Sequence, residues 1–300
     1  MPWTLADCPD QQGRTALITG ANSGLGLETA RALAARGARV LLACRSHAKA
    51  TATCQELAAV GGELIPLELD LADLVSVQQA ARTVRERWGA LDLLINNAGV
   101  MAPPRQLSAQ GLELQFAVNH LGHFALTQGL LPLMQQRPGA RVVHVSSGAS
   151  YFGSIAFDDL QGERRYDAWA AYAQSKLANM ITALELQRRL RDQGGGVLSL
   201  AAHPGLARTN LQPSSVAARG SKLEALAYRL MDPLFQSAAM GALPQLFAAT
   251  APTAEAGGFY GPGGVGNLKG YPQPCRIAPA ALNPETGARL WQVSEALCQG

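Results

Sequence analysis

The chain has 300 residues, of which 48% are hydrophobic and 16% are charged, so one large domain with a sizeable core is expected. Its 25 Lys and Arg residues against 22 Asp and Glu residues give a formal net charge of only +3, which does not favour a nucleic-acid partner. The five cysteines form no CxxC pair and no zinc pattern, which indicates reduced thiols in a cytoplasmic protein.

Short apolar runs alternate with helical patterns along the first two-thirds of the chain. The runs predict strands at TALIT (15–19), RVLLAC (39–44), LIPLEL (64–69), LDLLIN (91–96), RVVHVS (141–146) and VLSLAAH (197–203). The helical patterns predict helices near 25–36, 47–60, 73–88, 112–135 and 169–191. Such alternation implies parallel strands joined by right-handed crossovers. The predicted fold class is therefore α/β, a single Rossmann-type doubly wound parallel sheet with helices on both faces.

The alternation of short apolar runs and helical patterns ends after residue 206. The segment of about 206–255 is rich in Ala, Leu and Met with prolines as breaks, and it predicts a small helical lid over a substrate pocket. The tail of about 257–300 begins with many turn residues and ends in a helix near 284–297. No linker divides the chain, so residues 1–300 are expected to form one domain.

The N-terminus and two uncharged stretches bear on targeting. The N-terminus has no basic segment followed by an apolar one, so no signal peptide is predicted. The uncharged stretches, 114–136 and 233–254, both contain Gln and Pro, and neither is typical of a membrane span. The second is interpreted as a buried apolar helix, with a segment lying on a membrane surface as the alternative.

A glycine-rich loop, TGANSGLG (19–26), follows the first predicted strand and opens the first helix. Its glycines allow a tight turn, a close approach of a pyrophosphate to the backbone, and close packing of helix on strand. The N-terminus of the helix adds free N–H groups and the positive end of its dipole. The pattern predicts dinucleotide binding by Gly20, Asn22, Ser23, Gly24, Leu25 and Gly26.

The end of the second strand predicts which dinucleotide is preferred. An acidic residue at this position accepts hydrogen bonds from the adenosine ribose in sheets that bind NAD. Here Cys44 and Arg45 stand instead. Arg45 can pair with a 2′-phosphate through charge-assisted hydrogen bonds, so NADP(H) is predicted over NAD(H). The alternative is that Arg45 is only a solvated loop residue.

Five motifs occur in one order: the glycine loop, NNAG (96–99), VVHVSS (142–147), YAQSK (172–176) and HPG (203–205). Together they resemble the short-chain dehydrogenase/reductase family, closely over about residues 13–210 and loosely beyond. Finer features such as VNHLGHFALT, YAQSKLAN and HPGLARTNL are similar to the retinol-dehydrogenase-like branch of that family. The resemblance implies a nicotinamide-dependent oxidoreductase.

Tyr172 and Lys176 are four residues apart in a predicted helix and therefore share one face of it. A tyrosine hydroxyl is a poor acid–base group near neutral pH, and a nearby ammonium stabilises the phenolate and lowers its pKa. The resemblance implies that Tyr172 exchanges a proton with the carbonyl or alcohol oxygen, and that Lys176 also binds the nicotinamide ribose.

The remaining residues of the expected site come from the same resemblance. Ser147 is expected to orient the carbonyl oxygen, with Ser146 as the competing choice. Asn119 matches the position that holds a water in the proton relay to the lysine; alternatively it is a polar residue that kinks a helix. Further contacts with the cofactor are expected from Asp70, Leu71, Asn97, Ala98, Gly99, Pro204, Gly205 and Thr209.

His120 and His123 are three residues apart on a predicted helix and lack a third ligand, so helix packing is favoured and no metal site is predicted. His144 stands where relatives often carry Asn, and no function is assigned to it.

The leading functional hypothesis is an NADP(H)-dependent reductase or dehydrogenase acting on a lipophilic carbonyl or alcohol, because Met and Leu are frequent in the predicted lid. Buried core is an equal interpretation of those residues. The alternatives are a redox-sensing regulator that binds NADPH without turnover, and a reductase of carbon–carbon double bonds. Family members often pair through the helices near 112–135 and 169–191, so a homodimer is expected, unless the tail or lid covers that surface.

Overall fold

A computed structural model describes residues 1–209, 211–220 and 234–299 of the chain. Eight strands form one sheet in the order β3-β2-β1-β4-β5-β6-β7-β8. All neighbouring strands run parallel except β7 and β8, which are antiparallel. The strands are β1 (Thr15–Thr19), β2 (Arg39–Cys44), β3 (Glu63–Glu68), β4 (Leu93–Asn96), β5 (Arg141–Val145), β6 (Leu198–Ala202), β7 (Phe259–Pro262) and β8 (Pro272–Pro274). The predicted doubly wound α/β fold is confirmed.

Helices cover both faces of the sheet. They are α1 (Gly24–Ala35), α2 (His47–Leu57), α3 (Leu74–Trp88), α4 (Leu114–Phe116), α5 (Gly122–Met134), α6 (Ala168–Asp192), α7 (Leu211–Arg219), α8 (Ala238–Thr250) and α9 (Pro284–Gln299). One core packs α1, α2 and α8 on one face, and a second packs α3, α5 and α6 on the other. Among the described ranges, no helix has both the length and the apolar character needed to cross a membrane.

The central strands are apolar on both sides because both faces are covered. Successive side chains of a strand point to opposite faces, so Leu17 and Leu94 enter the core beneath α3 and α5, while Ile18 and Ile95 enter the core beneath α1 and α8. All five side chains of β1 are buried. This burial explains why the strands appear in the sequence as continuous apolar runs rather than alternating ones.

The predicted helix near 112–135 is interrupted. A π-helical turn (Ala117–Leu121) joins α4 to α5. Such turns shift the backbone hydrogen-bond pattern by one residue and often occur at functional sites. Gly122 follows the turn, and a Cβ atom there would lie 2.5 Å from the carbonyl oxygen of Leu71, so the backbone approaches too closely for any larger residue.

The predicted lid of 206–255 contains two helices with different surroundings. Helix α7 lies beside the cleft described below. Helix α8 is a crossover helix whose residues from Gly241 to Thr250 are all buried, and it packs against α1 and the sheet. It corresponds to the buried apolar helix that the uncharged stretch predicted. Residues 221–233, which carry much of the Leu and Met of the predicted lid, lie outside the described residues.

The tail adds β7 and β8 to the sheet and then α9, which lies on α5 and α6. Trp291 of α9 makes an edge-to-face contact with Phe124 of α5, with ring centroids 4.9 Å apart. Ser294 of α9 is hydrogen-bonded to His120, Oγ to Nε2 at 2.8 Å. The tail thus covers part of the helix pair through which dimerisation was expected.

Candidate active site

A cleft of about 440 Å³ opens at the carboxyl ends of the parallel strands, where the strand order reverses between β1 and β4. This switch point is where doubly wound sheets bind their ligands. Nine of the predicted cofactor-binding residues lie along its wall: Gly20, Asn22, Ser23, Gly24, Leu25, Asn97, Ala98, Gly99 and Thr209. The cleft therefore brings together most of the residues that were predicted to bind a dinucleotide.

The glycine loop has the geometry that its sequence predicts. Gly20 and Gly24 adopt left-handed backbone angles, with φ of 65° and 53°. Gly26 lies inside α1, where a Cβ atom would be 2.3 Å from the carbonyl oxygen of Gly20. The third glycine thus allows α1 to pack directly on the loop that leaves β1. The resulting cradle leaves backbone N–H groups at the start of α1 facing the cleft.

A second cavity of about 420 Å³ adjoins the first and contains the predicted acid–base pair. Predicted residues on its wall are Ser147, Tyr172, Lys176, Pro204, Gly205 and Thr209. Leu25, Asn97, Met101, Thr209 and Leu211 line both cavities. A ligand that fills the cleft therefore reaches the space in front of Tyr172.

Lys176 is 3% exposed, and its ammonium group lies between β5 and the turn after β4. Its Nζ donates to the carbonyl oxygen of Val145 at 3.2 Å and lies 5.9 Å from the ring centroid of Tyr172. A Cβ atom on Gly99 would lie 3.3 Å from Nζ and 3.0 Å from Asn119 Oδ1, so a larger residue would require these side chains to shift. Burial lowers the pKa of Lys176 to about 8.

Asn119 lies in the π-helical turn, behind the cavity wall and fully buried. Its Nδ2 donates to the carbonyl oxygen of Val100 and to Ser175 Oγ, both at 2.9 Å, and its Oδ1 accepts from the Val100 N–H at 2.8 Å. Asn119 thus joins the turn after β4 to helix α6. The adjacent residues of the SK pair in YAQSK thus have different contacts, because Ser175 accepts a hydrogen bond from Asn119 while Lys176 faces the cavity.

The two candidate serines differ in what their hydroxyl groups bind. Ser146 is buried and donates to the carbonyl oxygen of Lys176 at 2.7 Å, so its hydroxyl holds α6 against β5. Ser147 is half-buried and accepts from the Ala149 N–H at 3.2 Å, which leaves its hydroxyl hydrogen available to a ligand. This difference favours Ser147 as the group that contacts a substrate.

Four predicted cofactor residues line neither cavity: Gly26, which lies inside α1, and three residues that follow neighbouring strands. Arg45 is exposed directly after β2. Asp70 follows β3, and its Oδ1 accepts from the Ala72 N–H at 2.9 Å. Leu71 is buried beside Gly122.

Several residues on the wall of the second cavity were not singled out from the sequence, namely Met101, Ala149, Trp169, Leu206, Ala207, Leu211, Gln212 and Phe235. Trp169 makes an edge-to-face contact with Tyr172, with ring centroids 6.1 Å apart. Its position three residues before Tyr172 on α6 is the signal that could have identified it. Phe235 carries no such signal, because it reaches the cavity from a distant part of the chain.

The three histidines near the helix pair are buried and do not converge. His120 Nε2 bonds Ser294 on α9, whereas His123 Nε2 bonds Thr19 at the end of β1. His144 Nδ1 lies 3.5 Å from Asn96 Nδ2. Burial lowers the pKa of His120 and His123 to about 3 and that of His144 to about 4, so all three rings are neutral near pH 7. Across the described part of the chain, no three potential metal-ligating side chains come together.

The buried ammonium predicts an unusual pH dependence of stability. Lysine in an unfolded chain has a pKa of about 10.4, so between about pH 8 and pH 10 the unfolded state binds more protons and wild-type stability rises with pH. Lys176→Met removes the cost of burying the charge, which is up to about 3 kcal/mol. We expect the variant to be at least as stable as wild type in urea at pH 7. The difference in their free energies of unfolding should decrease towards pH 10.

Exposed Lys269 offers a matched control, since Lys269→Met makes the same side-chain change in solvent. The difference in stability between Lys269→Met and wild type should not change with pH. A difference for Lys176→Met that grew with pH would contradict the assignment of the buried charge.

Comparison with known proteins agrees with this geometry. Residues 14–220 match the family described as short chain dehydrogenase. Retinol dehydrogenase 12 of Homo sapiens is 41% identical over 288 residues, which cover 94% of this chain and 85% of that protein. The crystal structure of an uncharacterised protein from Mycobacterium paratuberculosis has a TM-score of 0.81 and 40% identity, covering 100% of this chain and 98% of the other.

A more distant crystal structure contains a cofactor. It is that of a protein from Beutenbergia cavernae assigned as an NAD(P)-dependent gluconate 5-dehydrogenase, with NADP bound at low occupancy. It matches with a TM-score of 0.66 and 27% identity over 84% of this chain and 96% of the other. The family resemblance drawn from the motifs is thereby confirmed. The chain belongs to the short-chain dehydrogenase/reductase family of nicotinamide-dependent oxidoreductases, in its retinol-dehydrogenase-like branch.

Proposed function

We propose that this protein is an NADP(H)-dependent oxidoreductase that transfers a hydride between nicotinamide and the carbonyl or alcohol carbon of an apolar substrate. The observation that carries the proposal is the shared wall of the two cavities. The glycine-loop cleft opens directly into the space that holds Ser147, Tyr172 and Lys176. A dinucleotide in the first cavity would bring its reactive ring to a substrate in the second.

The proposed chemistry divides the work between cofactor and protein. The bound dinucleotide supplies or accepts the hydride. The Tyr172 hydroxyl donates a proton to the carbonyl oxygen during reduction and takes it back during oxidation. The ammonium group of Lys176 favours the negative charge that then develops on the tyrosine oxygen. Ser147 donates a hydrogen bond to the same substrate oxygen and holds its orientation.

The cofactor would also change the surroundings of the buried ammonium. Lys176 Nζ lies beside Gly99, in the turn that lines the cleft proposed for the cofactor. Asn119 holds the adjoining Val100 through both its backbone N–H and its carbonyl oxygen. These contacts support the proposed roles of Lys176 in binding the ribose and of Asn119 in the proton relay.

The substrate class is inferred from the wall of the second cavity. Apart from the polar groups at its inner end, the wall is formed largely by Met101, Trp169, Leu206, Leu211 and Phe235. Large apolar and aromatic side chains favour a lipophilic molecule with a single polar end. The relatives named retinol dehydrogenase point to the same class, a long apolar aldehyde, ketone or alcohol.

The first prediction from this proposal concerns the tyrosine. Tyr172→Phe removes the proposed proton donor, so turnover of lipophilic aldehydes with NADPH should fall by a factor of about 100 or more. NADPH affinity, measured separately by fluorescence titration, should change little. Tyr166→Phe is the control, because it also removes a tyrosine hydroxyl, one that donates to Glu113 in a part-buried bond and lies outside the second cavity.

Wild-type binding of NADPH without turnover of any carbonyl compound would instead favour a regulator that only binds the cofactor. Saturation of a conjugated carbon–carbon double bond, read by product analysis, would favour a double-bond reductase.

The glycine loop gives a second prediction. Gly26→Ala places a methyl group against the carbonyl oxygen of Gly20, and α1 must move away from the cradle. We expect NADPH affinity to fall at least about tenfold, measured by titration calorimetry. Gly196→Ala adds the same methyl group where no atom lies within 4 Å, and it should bind NADPH as wild type does. Equal affinities for all three proteins would contradict the placement of the phosphates.

Arg45 gives the third prediction. Arg45 is exposed at the end of β2 and free to meet a 2′-phosphate, so Arg45→Asp should shift the preference from NADPH towards NADH by about tenfold or more. Arg87→Asp makes the same charge change on an exposed part of α3 and should leave the ratio of the two affinities unchanged. An unchanged ratio in Arg45→Asp would remove the basis for NADP(H) preference.

A further inference from the structure

The turn after β4 lines the cofactor cleft from Asn97 to Val100 and is held at both ends by buried side chains. At its start, the N–H groups of Asn97 and Ala98 both donate to Thr19 Oγ at 2.9 Å. At its end, Val100 is held by Asn119 through two hydrogen bonds. Thr19 belongs to β1 and Asn119 to the π-helical turn, and these two elements are far apart in the sequence.

His123 connects Thr19 with Asn119. It is 1% exposed, on the first turn of α5. Its Nε2 lies 2.8 Å from Thr19 Oγ, and its Nδ1 lies 3.0 Å from the backbone carbonyl oxygen of Asn119. Both ring nitrogens therefore form a hydrogen bond, Nε2 with Thr19 and Nδ1 with Asn119.

The surrounding groups determine the direction of each hydrogen bond that links Thr19, His123 and Asn119. Thr19 Oγ accepts two backbone N–H groups, so its single hydrogen must be donated onward. His123 Nε2 at 2.8 Å is a closer acceptor than the Ile95 carbonyl oxygen at 3.4 Å. Nε2 is then the acceptor, and the ring proton lies on Nδ1, which donates to the Asn119 carbonyl oxygen. Burial keeps the pKa of His123 near 3, so the ring carries this one proton near pH 7.

The bond to Asn119 lies where the helix is least regular. The π-helical turn shifts the backbone hydrogen bonds of Ala117–Leu121, and the ring of His123 supplies a side-chain donor to a carbonyl oxygen in this turn. A leucine or methionine would fill the same volume but would leave the Thr19 hydroxyl only the more distant Ile95 carbonyl oxygen as acceptor, and the Asn119 carbonyl without this donor. Packing alone does not require both ring nitrogens.

We propose that His123 is a positioning residue that fixes the spacing between Thr19 and Asn119, and thereby the shape of the cofactor-facing turn from Asn97 to Val100. The effect extends to the acid–base pair, because Gly99 in this turn lies between Asn119 Oδ1 and Lys176 Nζ. This inference rests on the proposed oxidoreductase function and deepens it. Without the His123 connection, the turn remains folded but presents the dinucleotide at a less productive distance from Tyr172.

The test compares His123 with His120. His120 is on the same helical segment, is equally buried and also bonds a hydroxyl, but that hydroxyl belongs to Ser294 on α9, away from the cleft. His123→Leu and His120→Leu should both lower the unfolding temperature. Only His123→Leu should weaken NADPH binding and lower kcat, with a combined loss in kcat/KM of about tenfold or more for two lost hydrogen bonds. Assays are run well below both unfolding temperatures.

Partial rescue separates the two bonds. His123→Asn retains a donor near the position of Nδ1, and His123→Gln retains a polar group near the position of Nε2, so each should recover part of the loss. Thr19→Ser keeps the hydroxyl and should behave nearly as wild type, whereas Thr19→Val should reproduce the loss in His123→Leu.

A readout independent of turnover distinguishes failure of this inference from failure of the proposed function. Nitrogen-15 NMR of the imidazole rings should show His123 as the Nδ1–H tautomer in wild type and a changed signal in Thr19→Val. An Nε2–H tautomer in wild type would overturn the inference even if the enzyme is active. Equal losses in NADPH affinity from His123→Leu and His120→Leu would overturn it as well, and this comparison holds even if no carbonyl substrate is turned over.

Discussion

The buried ammonium of Lys176 is the constraint on which the rest of the site depends. A charge that is 3% exposed must be surrounded by polar atoms, and the fold supplies them from strand ends and turns. The carbonyl oxygen of Val145, at the end of β5, accepts one hydrogen bond, and the absence of a side chain on Gly99 opens the opposite side. Ser146 then holds the backbone of α6 in place by bonding the carbonyl oxygen of Lys176 itself. The buried ammonium group is therefore stabilised at the place where β4, β5 and α6 meet.

That meeting point explains why the turn after β4 is so tightly held. Its residues face the dinucleotide cleft on one side and the ammonium group on the other, so a small displacement would alter both. Thr19 and Asn119 restrain the turn from opposite ends, and both are buried. Rigid hydrogen-bonded polar groups of this kind replace the reorganising water that would otherwise solvate the charge.

The sequence predicted those features that depend on local pattern. The strand β1 and the helix α6 were predicted to within one residue at each end, because apolar runs and i, i+4 spacing are visible in a short window. Strands β7 and β8 were not predicted, since they are short and rich in Gly and Pro and join the sheet only through pairing of β7 with β6 and of β8 with β7. His123 was interpreted as a packing residue because no third metal ligand was in sight, and its bond to Thr19 was not predicted because the two residues are 104 positions apart.

The same distinction between local and distant contacts applies to the substrate side of the site. Helix α7 contributes Leu211 to both cavities, Ser215 to the cofactor cleft and Gln212 to the second cavity. Arg219 at the end of α7 donates to the carbonyl oxygen of Ala102, which anchors the helix to the segment that follows the turn after β4. One short helix therefore lines both cavities and is hydrogen-bonded to the segment that follows the turn after β4. A ligand in either cavity would therefore lie against α7, which makes this helix the element that a cofactor and a substrate would both contact.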